Sequence, residues 1–92
     1  MDVKKISIKK VYALAENGGR ILASVGQYEL RDGIRHGVRS CFIFDNGSHG
    51  KQYLIPATIC DEIHNIFALG GDRIVVYKMM EYIVINYEKS IR

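Results

Sequence analysis

Hydrophobic positions recur along this chain with two different periods, and the change of period divides it in two. Up to about residue 55 they come in short runs rich in Ile, Val, Tyr and Phe. Glycine-bearing turn signals separate the runs: Asn17-Gly18-Gly19, Asp32-Gly33 and Asn46-Gly47-Ser48-His49-Gly50. Such pairs suit the positive φ angles of tight hairpins. The runs predict strands at about 5–16, 20–31, 34–45 and 51–55, joined as an antiparallel meander. Beyond Pro56 the period lengthens. Ile59, Ile63, Ile66 and Phe67 recur at i, i+4, i+7 and i+8, which predicts an amphipathic helix over about 57–69. Pro56 is tolerated near its start, Thr58 or a neighbour is the candidate cap, and Asp61 and Glu62 complement the positive end of the helix dipole. Gly70-Gly71 ends the helix.

The tail, "DRIVVYKMMEYIVINYEKSIR", is rich in β-branched residues and tyrosine, which favours extended structure, as strands at 73–78 and 81–88. Lys78-Met79-Met80 is a poor turn, so one long strand or a helix stands as the alternative. Taken together, residues 1–92 predict a single α+β domain: a four-stranded antiparallel meander sheet, one helix, and an extended C-terminal segment over 73–92.

Alternation converts the strands into a map of faces. With Asp32-Gly33 as a two-residue loop, Ile21 opposes Phe44, Ala23 opposes Phe42 and Val25 opposes Ser40, and this side, with Val38, faces the helix. A similar first turn adds Leu14, Tyr12, Ile8 and Ile6 to it. The open side then carries Arg20, Ser24, Gly26 and Tyr28 beside Arg35, Gly37, Arg39 and Cys41, with Lys9, Ala13 and Ala15 from the first strand. Small residues, cations and one ring make a surface on which a sugar-phosphate backbone can lie while Tyr28 stacks on a base. The plainer reading is that these arginines are solvated and balance Glu16, Glu29 and Asp32.

Charge sharpens this modestly. The net charge is +3. Residues 1–50 hold eight Lys/Arg against five Asp/Glu, while residues 51–92 hold five of each, so the excess lies wholly in the first half. That distribution permits a polyanion partner without requiring one. The apolar stretches are short and interrupted, and "MDVKKISIKK" lacks the apolar core of a signal peptide, so a cytoplasmic protein with no membrane partner is expected. In that compartment Cys41 and Cys60 are expected to stay reduced and buried, although two cysteines are able to pair.

Two stretches carry a resemblance. "YALAENGGRILASVG" is a strand–turn–strand with Gly19-Arg20 opening the second strand, and "YLIPATICDEIHNIF" is a strand ending in a Pro-Ala step that leads into an amphipathic helix with an acidic pair. Over about residues 5–69 this order resembles the single-stranded nucleic-acid-binding fold of PUR repeats and Whirly proteins. The resemblance implies single-stranded DNA or RNA on the sheet face away from the helix, pairing as dimers or repeats, and Arg20, Tyr28, Arg35 and Arg39 as the ligand surface. The "RDGIRHG" segment and the tail beyond Gly71 depart from the family pattern.

Other chemistry is thinly supported. Cys60 and His64 stand one helical turn apart, a spacing that suits two metal ligands, and Cys41, His36 and His49 are candidates to complete the set. No paired Cys-x-x-Cys accompanies them, so no metal or cofactor is expected. No nucleophile elbow surrounds any Ser or Cys, and the side chains of Asp61 and Glu62 diverge on a helix, so no enzymatic activity is expected. Met79-Met80 with Tyr77, Tyr82 and Tyr87 suits either an adaptable partner surface or the completion of the core. Two functions stand: a small single-stranded nucleic-acid-binding homodimer, or a protein-interaction or inhibitor module acting through its homodimer or C-terminal surface.

Overall fold

The computed structural model describes residues 9–11, 20–48 and 51–90, which form an α+β arrangement. The strands are β1 (Lys9–Val11), β2 (Arg20–Val25), β3 (Tyr28–Arg35), β4 (Val38–Asp45) and β5 (Lys51–Ile55); the helices are α1 (Ala57–Ala68) and α2 (Arg73–Ser90). A short 3-10 turn at Asn46–Ser48 joins β4 to β5. Every pairing is antiparallel, in the order β1-β5-β4-β3-β2. The meander is therefore present, but it runs from β2 to β5, and β1 pairs with β5 at the far edge rather than with β2. The turn predicted at Asn17-Gly18-Gly19, the rest of the first predicted strand and His49-Gly50 lie outside the described residues.

The hairpin differs from expectation in a way that matters. Asp32-Gly33 is not a turn but lies within β3, paired with Cys41 and Ser40. The chain reverses instead at Gly26-Gln27 and again at His36-Gly37. His36 (φ 54°) and Gly37 (φ 75°) both take the left-handed conformation that a type I′ turn requires. The reason lies in the pairing. A turn at Asp32-Gly33 would set Leu30 opposite Arg35, whereas the observed register sets Leu30 against Ile43 and runs eight residues of β3 along eight of β4.

Rows across the sheet show what this register achieves. On the helix side, Ala23, Leu30, Ile43 and Tyr53 form one row at the centre of the core. Val25, Tyr28, Asp45 and Lys51 lie to one side of it, and Arg20, Asp32, Cys41 and Ile55 to the other. A bulge at Leu22 brings Arg20 into its row, because without the extra residue Arg20 and Ala23 would point to opposite faces. The other side of the sheet carries a smaller cluster in which buried Phe42 packs against Leu54.

Two helices cover the core side, against the single one expected. In α1, Cys60 and Ile63 are buried against the sheet. The N-cap is Pro56, without a side-chain cap, so Asp61 falls in the second turn and Thr58 does not cap. At the other end Gly70 takes φ 74°, its N–H donates to the Phe67 carbonyl, and the Gly71 N–H donates to the Ile66 carbonyl. This is the Schellman ending expected of Gly70-Gly71. The tail is a helix, the alternative to the strands expected at 73–78 and 81–88. Val76, Met80, Ile83 and Val84 are buried at i, i+4, i+7 and i+8, and Asp72 caps the helix by accepting from the Ile74 N–H at 2.8 Å. No helix among the described residues is long and apolar enough to cross a membrane.

Gly26 joins the sheet to α2. Its φ is +59°, and a Cβ there would lie 2.7 Å from Cε2 of Tyr77. Gly37 has a similarly positive φ but open space around it. Alanine at either site bears a backbone cost of about 1–2 kcal/mol. Gly26→Ala is expected to lose more than Gly37→Ala because Tyr77 must also yield. Denaturant unfolding of the two variants checks this, and equal losses would show that Tyr77 does not press on the turn.

Candidate functional site

The five residues expected to form one basic surface do not share one. Lys9 pairs with Leu54 at the β1 edge and Arg20 opens β2 at the opposite edge, four strand spacings or roughly 19 Å away. The side chains of Lys9 and Arg35 lie outside those described. Tyr28 faces the helices, is only 4 % exposed, and meets the ring of Tyr77 at a centroid distance of 5.2 Å. It is a core residue with no face left for a base. Arg35 pairs with Val38, while Arg39 pairs with Ile34 and shares its side of the sheet with Cys41 and Ile43. Arg35 and Arg39 thus occupy positions of opposite facing. The expectation of a common face fails because it was built on the wrong hairpin turn.

What the fold does bring together is Arg20 and Arg39. Both donate to Oδ2 of Asp32, at 3.4 Å and 3.1 Å, and both side chains remain mostly exposed. The hydrogen bond from Arg39 to Asp32, and then the carboxylate's charge, raise the guanidinium pKa above its ordinary value. Two cations share one largely buried carboxylate, and Asp61 of α1 adds a second negative charge that acts on Arg39. Arg31 is also engaged: Nη2 lies 2.8 Å from Oε1 of Glu29, and the guanidinium stacks over Phe44 at 5.1 Å.

The larger surface feature lies on α2. Once one side of that helix is buried, Ile74 (65 % exposed), Val75 (46 %), Tyr82 (37 %) and Ile85 (45 %) remain outside. Ile74, Lys78, Tyr82 and Ile85 follow one another at i, i+4, i+8 and i+11, forming a second apolar stripe with Lys78 in its middle. Beside it a groove of 460 Å³ runs between the helices, lined by Glu62 and Ile66 of α1 and by Ile74, Val75, Lys78, Met79 and Tyr82 of α2. Met79 and Tyr82 therefore belong to this surface, whereas Met80 completes the core. The sequence signal for it is the i, i+4 spacing within the tail, which the β-branched and tyrosine content of that segment obscures.

Among the described residues no group of three His, Cys, Asp or Glu side chains is placed to hold a metal ion. Comparison with family models, with curated proteins and with solved structures finds no match.

The buried phenol makes a testable point about the core. Burial, then the nearby Asp45, push the pKa of Tyr28 from 10.0 up to about 12. Burial, then Glu81, move Tyr77 in the same direction. The folded state holds these protons more tightly than the unfolded chain does. The stabilisation from Tyr28 is complete below pH 10 and is lost as the pH rises through about 12, and that from Tyr77 is lost in the same direction. Thermal melts from neutral pH to pH 12 are expected to show that loss, and Tyr28→Phe is expected to flatten part of it. An identical alkaline slope in the variant would mean that Tyr28 titrates as it does in the unfolded chain.

Proposed function

We propose that this protein is a small protein-interaction module whose working surface is the outer face of α2, and that its partner there is a second copy of the chain. The observation that carries the reading is the second apolar stripe, Ile74, Val75, Tyr82 and Ile85, on a helix whose opposite side is already committed to the core. Large contiguous apolar surface is seldom left to water in a monomer, and it marks sites of association.

The arrangement of charge favours a copy of the same chain. Lys78 stands at the centre of the stripe, Glu81 at its edge, and Glu62 across the groove. Two α2 helices crossing antiparallel on their outer faces, about a two-fold axis midway between Lys78 and Tyr82, set each Lys78 against the partner's Tyr82 and the partner's Glu81. The same crossing sets Ile74 and Val75 against the partner's Ile85. Each contact then occurs twice, as an isologous interface requires. A single helix stripe supplies less than the roughly 800 Å² per partner of a standard interface. The dimer should dissociate in the micromolar range.

Sedimentation equilibrium across concentration tests this. The expected result is a monomer–dimer equilibrium that Tyr82→Glu with Ile85→Glu shifts at least tenfold towards monomer, while the melting temperature of the dilute protein changes little. A wild-type chain that stays monomeric at millimolar concentration removes the proposal.

One observation favours a second reading, as a single-stranded nucleic-acid-binding protein. Arg20 and Arg39 are exposed and held side by side on Asp32, a spacing that suits adjacent phosphates. With two phosphate contacts, log K for oligo-dT should fall with log[salt] with a slope of about −1.4. Arg20→Ala with Arg39→Ala should abolish that binding. Fluorescence anisotropy at low salt decides it, and no binding there by the wild type discards the reading.

A further inference from the structure

The buried sulfur atoms play no part in either surface, and they lie together. Cys41 is on β4 in the row Arg20, Asp32, Cys41 and Ile55; Cys60 is on the sheet-facing side of the first turn of α1. Both are free thiols, 4 % and 0 % exposed, and their side chains are hydrogen-bonded to each other. We propose that Cys41 and Cys60 are a redox-active pair that closes to an intramolecular disulfide between β4 and α1 when a peroxide reaches it.

Placement supports this more than the mere presence of two thiols. Both side chains belong to one buried cluster between the sheet and the first turn of α1. The backbone between them is already closed on itself, because Ile55, the ladder partner of Cys41, leads through Pro56 directly into α1. The two sulfurs also differ in character. The hydrogen bond from Cys60 lowers the pKa of Cys41, with Arg39 adding to the effect; the same bond, then burial, raises the pKa of Cys60. Cys41, the less deeply buried of the two and on the same side of β4 as Arg39, is the sulfur that an oxidant meets first.

The chemistry balances with hydrogen peroxide as oxidant. The Cys41 thiolate attacks one peroxide oxygen, the O–O bond breaks, and the leaving hydroxide takes a proton to become water. Cys41 is then a sulfenic acid. The Cys60 sulfur attacks it, the S–O bond breaks as the S–S bond forms, and the departing hydroxide leaves as water with the Cys60 proton. Two thiols lose two electrons in all, and one peroxide becomes two waters.

The test is thiol counting on the intact chain. After brief treatment with dilute hydrogen peroxide, the protein is denatured, alkylated with N-ethylmaleimide and weighed without reductant. The expected result is loss of both alkylation sites, a peptide map linking Cys41 to Cys60, and reversal by dithiothreitol. The oxidised chain should also melt on the order of 10 °C higher than the reduced one. Cys60→Ser should stall at a sulfenic acid on Cys41 that dimedone traps, while Cys41→Ser should react far more slowly. Two thiols still open to alkylation, a disulfide between separate chains, or equal trapping in the two variants would each overturn the proposal. The wild-type count decides it even where a serine variant fails to fold.

Discussion

With its turn at His36-Gly37, the β3–β4 hairpin places Tyr28, Leu30 and Asp32 on the side of the sheet that the helices cover, opposite Asp45, Ile43 and Cys41. Almost everything else follows from that register. Strand side chains alternate strictly, so a slip of β3 by one residue along β4 would send Tyr28, Leu30 and Asp32 to the outer face and bring Glu29 and Arg31 inward. The central row of Ala23, Leu30, Ile43 and Tyr53 is the surface on which α1 and α2 rest. The bulge at Leu22 then adds β2 to the same scheme, with Leu22 and Ala23 both buried and Arg20 delivered to Asp32.

Much of the fold was legible in the residues, and the failures share one cause. The stripe of Ile59, Ile63 and Ile66 and the glycines after it located α1 and its ending, because a helix end is written in local chemistry. The hairpin turn was not local in this sense. Asp32-Gly33 and His36-Gly37 lie four residues apart, and by turn preference alone the first is the stronger signal. What selects the second is the match of Leu30 to Ile43 and of Asp32 to the two arginines, which exists only once the strands have paired. Since the turn carried the assignment of faces, Tyr28 and Arg39 moved with it, and the basic surface expected in the sequence dissolved into a core tyrosine and an ion-paired edge.

The tail misled for a different reason. The spacing that revealed α1 is equally present in Val76, Met80, Ile83 and Val84, and Asp72 stands at the capping position. A second apolar set, Ile74, Val75, Tyr82 and Ile85, interleaves with it and blurs the period that marks an amphipathic helix. The same interleaving is what gives α2 an outer surface worth covering. The feature that hid the helix in the sequence is the one on which the proposed interface rests.

The sheet, α1 and α2 meet in a way that joins the sulfur pair to that surface. α1 faces two directions: Cys60 and Ile63 look onto the sheet, while Glu62 and Ile66 wall the groove beside α2. The far end of this wall is already held, because the turn at Gly70 and Gly71 returns two hydrogen bonds to Phe67 and Ile66. Its near end has no capping side chain and is held by packing around Cys60. A covalent bond from Cys41 to Cys60 would fix that near end two residues before Glu62. Oxidation would then act on the groove by limiting how far α1 can shift against α2, without changing any residue that a partner touches.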